Sequence, residues 1–155
     1  MTQILDFDRY LSMWAVEAML AHWDGYSYDV VNNYRVYHDP STDRWTIIPS
    51  GLDQTFQAGS VDEWSPTGRI AQRCLAEPAC AAAFAARLRE AVAVFEGAEL
   101  EAARAAIAAQ LVPLVTAAPG REFDRGEFDQ AQAETAQFIY ARPGQVRAGL
   151  VARGF

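Results

Sequence analysis

Apolar residues in the first part of the chain recur at helical spacing: Leu11, Trp14, Ala15, Ala18 and Met19 fall on one stripe. Asp6 or Asp8 supplies a capping oxygen ahead of that stripe, with acidic side chains near the positive end of the helix dipole. The pattern predicts a helix running to about Ala21. The next segment, His22-Trp-Asp-Gly-Tyr-Ser-Tyr-Asp29, is polar and aromatic without a period and reads as a loop. Tyr34-Arg-Val-Tyr37 and Arg44-Trp-Thr-Ile-Ile48 read as short strands, joined by the turn-forming His38-Asp-Pro-Ser-Thr-Asp43. Pro49-Ser-Gly51 ends the second strand and opens an irregular stretch to about Gly68. Beyond it the pattern predicts helices at about 67–76, 79–95, 98–112, 127–141 and 144–152. Pro78, Gly97, Pro113, the Pro119-Gly120 pair and Pro143 are the breaks between them.

These elements define a mainly helical α+β class: one helix, a small β-hairpin, then a helical bundle. The length of 155 residues suits a single domain, 1–155. Composition divides it unevenly. Residues 1–66 hold all four tryptophans, both histidines and five of the six tyrosines, whereas 71–118 hold 19 of the 29 alanines and no Trp or Tyr. Varied side-chain chemistry therefore belongs to 1–66, and 67–155 reads as helical support.

Charge narrows the function classes. All 13 basic residues are arginine, set against 20 acidic residues for a net charge of -7. An acidic chain is a poor ligand for nucleic acid or an anionic membrane, which require a basic face. The absence of lysine also removes Schiff-base chemistry and a lysine-bearing P-loop. Together with the alanine content, it also fits a coding bias towards GC-rich codons. No unbroken apolar run approaches the ~20 residues of a membrane span, and no signal peptide is visible at the start.

Candidate chemistry gathers around the hairpin. Asp24 lies in the loop before it, Asn32 and Asn33 stand at the entrance to its first strand, and Asp53 follows its second strand. Paired strands lie ~4.8 Å apart, so the two outer ends of a hairpin are neighbours and these residues can converge. Two carboxylates and an amide oxygen are hard ligands suited to Mg²⁺ carried with substrate phosphates. The order also follows protein-kinase logic, in which one Asp takes the hydroxyl proton while an Asn and a later Asp hold metal. The spacing differs, because the asparagines lie eight and nine residues after Asp24. Asp and Asn are also ordinary turn residues, so capped turns account for the same pattern. His22 reads as a neutral histidine packed on the loop, with orientation of Asp24 as its alternative role. His38, at the hairpin turn, reads as solvated. Two histidines without a nearby Cys make a zinc site improbable. Glu96, Glu99 and Glu101 read as a solvated acidic face at a helix start, and Arg142 as the partner of a helix C-terminus or a carboxylate.

Three motifs carry a resemblance: Trp14-Ala-Val-Glu17 with His22-Trp-Asp-Gly-Tyr26, Asn32-Asn-Tyr-Arg-Val-Tyr37, and Trp45-Thr-Ile-Ile-Pro-Ser-Gly-Leu-Asp-Gln-Thr-Phe56. Together they resemble the CotH kinases, atypical protein kinases of the spore coat or of secreted proteins. The tail Phe138–Leu150 is similar to that family's closing helix pair. The resemblance implies that Asp24 is the catalytic-loop aspartate. It makes Asn33, or less directly Asn32, the loop's metal ligand and Asp53 the metal-binding aspartate after the hairpin. It further implies ATP and Mg²⁺ as cofactors and a protein Ser/Thr hydroxyl as acceptor, with a secreted or cell-surface setting for a full-length member. The chain departs from the family pattern at Ser50 and Gly51, where Trp and Asp are frequent; Gly51 cannot ligate a metal. Cys74 and Cys80 are similar to a cysteine pair of some bacterial members, which implies a disulfide; two small buried thiols are the other reading.

Family members also carry an N-terminal lobe with a phosphate-binding lysine ahead of the segment matched here. The expectation is therefore a C-terminal lobe only, weak or inactive by itself. The alternative is a non-catalytic coat or surface scaffold, and a metal-dependent hydrolase using Asp24 and Asp53 is a third class without a recognisable motif.

Overall fold

In a computed structural model, residues 4–59, 61–117 and 124–155 are described. Helix α1 spans Phe7–Leu20 and is capped by Asp6, whose side chain accepts from the Arg9 N–H at 3.3 Å. Its expected stripe is buried, together with Tyr10, Met13 and Glu17. The helix stops because Ala21 turns left-handed at φ 53 and returns its N–H to the Ala18 carbonyl. Strands β1 (Tyr34–Asp39) and β2 (Arg44–Pro49) form an antiparallel hairpin with Tyr34 opposite Pro49 and Val36 opposite Ile47. Side chains alternate across a strand, so Val36 and Ile47 share one face; Ile47 is buried on it and β2 packs on α1. Helices α2 (Arg69–Leu75), α3 (Pro78–Gly97), α4 (Leu100–Ala117) and α5 (Arg125–Ala152) complete the chain. The result is the mainly helical α+β arrangement expected.

Both parts of the chain build the same core. The Trp14 indole stacks on Phe84 of α3 with ring centroids 3.6 Å apart, while Trp64 meets Phe84 edge-on and stacks on Phe155. Each such aromatic buries ~150–250 Å², so these four rings carry much of the apolar driving force joining the site-bearing half to the helices. Cys74 and Cys80 are bridged, with Cα atoms 5.1 Å apart, and tie α2 to the first turn of α3.

Two expected breaks do not occur. α5 runs through Pro143, merging the helices expected at 127–141 and 144–152. Proline in a helix interior forfeits one hydrogen bond and crowds the preceding turn. Here Pro143 lies among the buried residues of α5, between Phe138 and Val146, so burial of that face outweighs the local loss. α4 likewise runs through Pro113, to Ala117, keeping one edge on α5 at Arg104, Ala108, Val112 and Val115. The break assigned to Pro119-Gly120 lies outside the described residues.

α4 has no buried residue; Ile107 and Leu114 are 56% and 63% exposed. By length and composition it is apolar enough to cross a membrane, at 18 residues and a mean hydropathy of 1.3. Inspection of unbroken apolar runs misses this, because short alanine runs, each broken by a polar residue, add up only when counted over the whole helix. The acidic cluster is also redistributed: Glu96 belongs to α3 and pairs with Arg147 of α5, and Glu101 pairs with Arg104.

Candidate functional site

The left-handed turn at Ala21 folds the loop back under the end of α1, and the His22 N–H donates to the Glu17 carbonyl at 2.9 Å. That return places Asp24 beside the base of the hairpin, where it is buried. Asn33 binds it twice. The Asn33 backbone N–H donates to the Asp24 carbonyl at 2.7 Å, and Asn33 Nδ2 donates to Asp24 Oδ2 at 2.5 Å. Asn33 also reaches across the hairpin, with its carbonyl accepting from Ser50 N–H at 3.0 Å and its Nδ2 lying 3.4 Å from the Gly51 carbonyl. Asn33 thus joins the loop to the segment that leaves β2.

The glycine at 51 has a steric cause. Its φ is +62, and a Cβ there would stand 2.5 Å from Asn33 Cγ. A side chain at this position would displace Asn33 from Asp24. The position that the resemblance marked as lacking a carboxylate is the one that makes room for the Asn33 bridge.

Asp53 lies on an exposed 3-10 turn, Leu52–Gln54, and among the described residues it forms no hydrogen bond or ion pair with Asp24 or Asn33. Hairpin geometry brings Asn33 to Ser50 and Gly51, and the left-handed Gly51 leads into that turn. Asn32 is exposed and donates to Asn33 Oδ1 at 3.4 Å. Of the four expected site residues, hydrogen bonds therefore join Asp24, Asn33 and Asn32, while Asp53 is not bonded to them. Phe56 anchors the segment beyond Asp53: its N–H donates to the Leu20 carbonyl at 2.8 Å and its ring meets Phe138 edge-on.

His22 is packed in the loop and lies beside Asp24, fully buried, with Nε2 3.3 Å from Asp24 Oδ1 and Nδ1 3.7 Å from Glu17 Oε1. A neutral imidazole has one N–H and one lone pair, so one of these carboxylates would face a lone pair. Glu17 is the main influence holding the imidazole above its ordinary value; Asp24 adds to this, and burial opposes it. His38 is less solvated than expected, since its Nε2 pairs with Asp43 Oδ1 at 2.9 Å and its ring lies against Trp45.

Glu17 is the site residue that sequence reasoning passed over. It is buried, and its two oxygens accept the backbone N–H groups of Tyr26 and Ser27 at 3.2 and 3.3 Å. The signal was available: Glu17 stands three residues after Trp14 and next to Ala18, inside the buried arc of α1. A charge in that arc demands partners. Arg142 satisfies both of its expected roles at once, donating from Nη2 to the Ala18 carbonyl near the end of α1 and pairing with Glu63 Oε1, each at 2.5 Å.

Among the described residues no group of three His, Cys, Asp or Glu side chains could hold a metal. The Asp53 carboxylate and the Asn33 amide oxygen are of a type suited to a hard cation that brings most of its ligands as water and phosphate oxygens. They do not form a preassembled cage.

A buried aspartate–asparagine pair thus stands at the base of a hairpin on a helical support, the setting of a kinase-like domain. The chain matches the family model described as CotH kinase protein over residues 1–146, and it belongs to the CotH kinase family. No curated protein matches it significantly.

Proposed function

We propose that this chain supplies the catalytic-aspartate side of an ATP- and Mg²⁺-dependent transfer of phosphate to a protein Ser/Thr hydroxyl. The observation that carries the reading is the Asn33–Asp24 bond, which fixes one carboxylate oxygen at the hairpin base. Asp24 accepts the proton of the acceptor hydroxyl and orients that oxygen. Asn33 and Asp53 hold Mg²⁺ from the two sides of the hairpin. When bound with nucleotide, the metal neutralises phosphate charge as the bond to the leaving group breaks. Phosphoryl transfer depends chiefly on positioning and charge neutralisation, and the chain contains no lysine to help neutralise the phosphates. Activity of this chain alone is therefore weak or absent.

The second reading, a non-catalytic coat or surface scaffold, is favoured by one observation: Asp53 lies on an exposed turn with no hydrogen bond to the Asp24–Asn33 pair among the described residues. Calorimetric titration with Mg²⁺-ATP separates the two. The catalytic reading expects binding that Asp53→Ala weakens tenfold or more. No binding by either protein, or equal binding by both, leaves the scaffold reading standing.

A further inference from the structure

We propose that Glu17 is a positioning residue for Asp24, acting through His22: its carboxylate balances a buried imidazolium that pairs by charge with Asp24 Oδ1 while Asn33 holds Oδ2. This rests on the reading of Asp24 as the acceptor of the hydroxyl proton.

The geometry is specific. Both nitrogens of His22 face a carboxylate oxygen, Glu17 on one side and Asp24 on the other, and the ring has no exposed surface. These are ion-pair distances, 3.7 and 3.3 Å, rather than aligned hydrogen bonds, and a charged ring is attracted to both carboxylates. From the segment after β2, the remaining group beside the ring is the Gly51 backbone, which also favours the charged form. A buried cation without a counter-charge is strongly disfavoured, so the imidazolium at this depth requires Glu17.

The fold makes room for the relay. A Cβ at Gly25 would lie 2.5 Å from Glu17 Oε1 and 2.7 Å from His22 Nδ1, so the loop passes over the pair at a distance only glycine allows. The Tyr26 and Ser27 N–H groups hold the Glu17 carboxylate from the far side. Asp24 is therefore held at Oδ2 by the Asn33 amide, while Oδ1 lies at ion-pair distance from His22 Nε2 with no hydrogen bond of its own.

Glu17→Gln is the discriminating variant, because its amide oxygen still accepts a backbone N–H while the negative charge is lost. The readout is the imidazole ¹⁵N spectrum of the full chain across pH 5–9, with His38→Gln to assign the two histidines, together with the Asn33 side-chain amide resonances. The expected result is a wild-type His22 protonated at both nitrogens at pH 7. In Glu17→Gln its titration falls by about one unit or more and the Asn33 amide signals shift; Glu17→Asp lies between. A neutral His22 at pH 7 in the wild type overturns the inference. So does a folded Glu17→Gln in which neither His22 nor the Asn33 amide changes. If Glu17→Gln does not fold, the wild-type spectrum and Glu17→Asp decide. Phosphate transfer is measured separately: its absence in the wild type counts against the catalytic reading alone, whereas a tenfold loss in Glu17→Gln with unchanged Mg²⁺-ATP affinity supports both.

Discussion

Asn33 and Asp24 are bonded twice, main chain to main chain at 2.7 Å and side chain to side chain at 2.5 Å, across the junction between the loop and the hairpin. Hydrogen bonds to charged groups contribute about 1.5–3 kcal/mol, and a buried carboxylate stripped of its donor carries the desolvation penalty as well. Asn33→Ala is expected to destabilise the protein by about 2 kcal/mol, read as a lower urea midpoint with an unchanged m-value. Asn33→Asp should be worse, since it sets a second carboxylate against Asp24.

Gly51→Ala tests the same bond from the other side. At φ +62 a non-glycine residue is strained by about 1–2 kcal/mol, and the new methyl group meets Asn33. The expected outcome is destabilisation of about that size together with movement of the Asn33 amide resonances. A normal melting curve with unchanged Asn33 signals would show that the pocket tolerates the methyl group.

The effect of pH on stability is set by His22. Its folded value is raised above the ordinary 6.5, so its stabilising contribution is complete below pH 6.5 and is lost as pH rises through the folded value. As pH rises above 6.5 the wild type should lose stability until the folded imidazole has lost its proton, and His22→Gln should flatten that slope. The window closes near pH 10, where the unfolded chain ionises Tyr10 and Tyr28, whose hydroxyls burial holds neutral in the fold. Chemical denaturation at half-unit pH intervals measures both slopes.

Much of this arrangement is legible in the sequence, and the rest is hidden for definable reasons. The stripe of α1 and the hairpin have clear periods and an unambiguous turn between them. Asp24 and Asn33 are recognisable as a pair because a hairpin must bring its outer ends together. The same rule places Asp53 with them, but the rule ends with the strands, and the left-handed Gly51 leads into the exposed turn that carries Asp53. Pro143 and Pro113 look like breaks because breaker chemistry is local, whereas the burial that overrides it at Pro143 comes from the packing of α5 on other helices. Glu17 escapes notice because its partners are loop amides and a histidine brought beneath it by the turn at Ala21.

Reduction of the Cys74–Cys80 bridge should cost about 2 kcal/mol, the chain-entropy value for so short a loop. Because the bridge joins α2 to α3, away from the Asp24–Asn33 pair, reduction should lower the melting temperature without altering the His22 or Asn33 resonances. Unfolding with and without dithiothreitol, monitored by the same spectra, separates the two effects.

Arg142 provides the most sensitive test of how the support holds the loop. Its Nη2 lies between the Ala18 carbonyl, one turn before His22, and the carboxylate of buried Glu63. Arg142→Ala removes the partner of a buried charge and one of the two donors to the Ala18 carbonyl, and breaking a buried pair costs about 3–5 kcal/mol. That is a large share of the roughly 5–15 kcal/mol available to a domain of this kind, so the variant should be partly unfolded at 37 °C. The paired change Arg142→Met with Glu63→Gln removes both charges and keeps side-chain volume, and it should recover more than half of the loss. If the pair is no better than Arg142→Ala, the bond to Ala18 dominates, and the end of α1 depends on α5 for its shape. Urea unfolding of the three proteins, with the His22 spectrum recorded on each, distinguishes a general loss of packing from a specific loosening of the loop that carries Asp24.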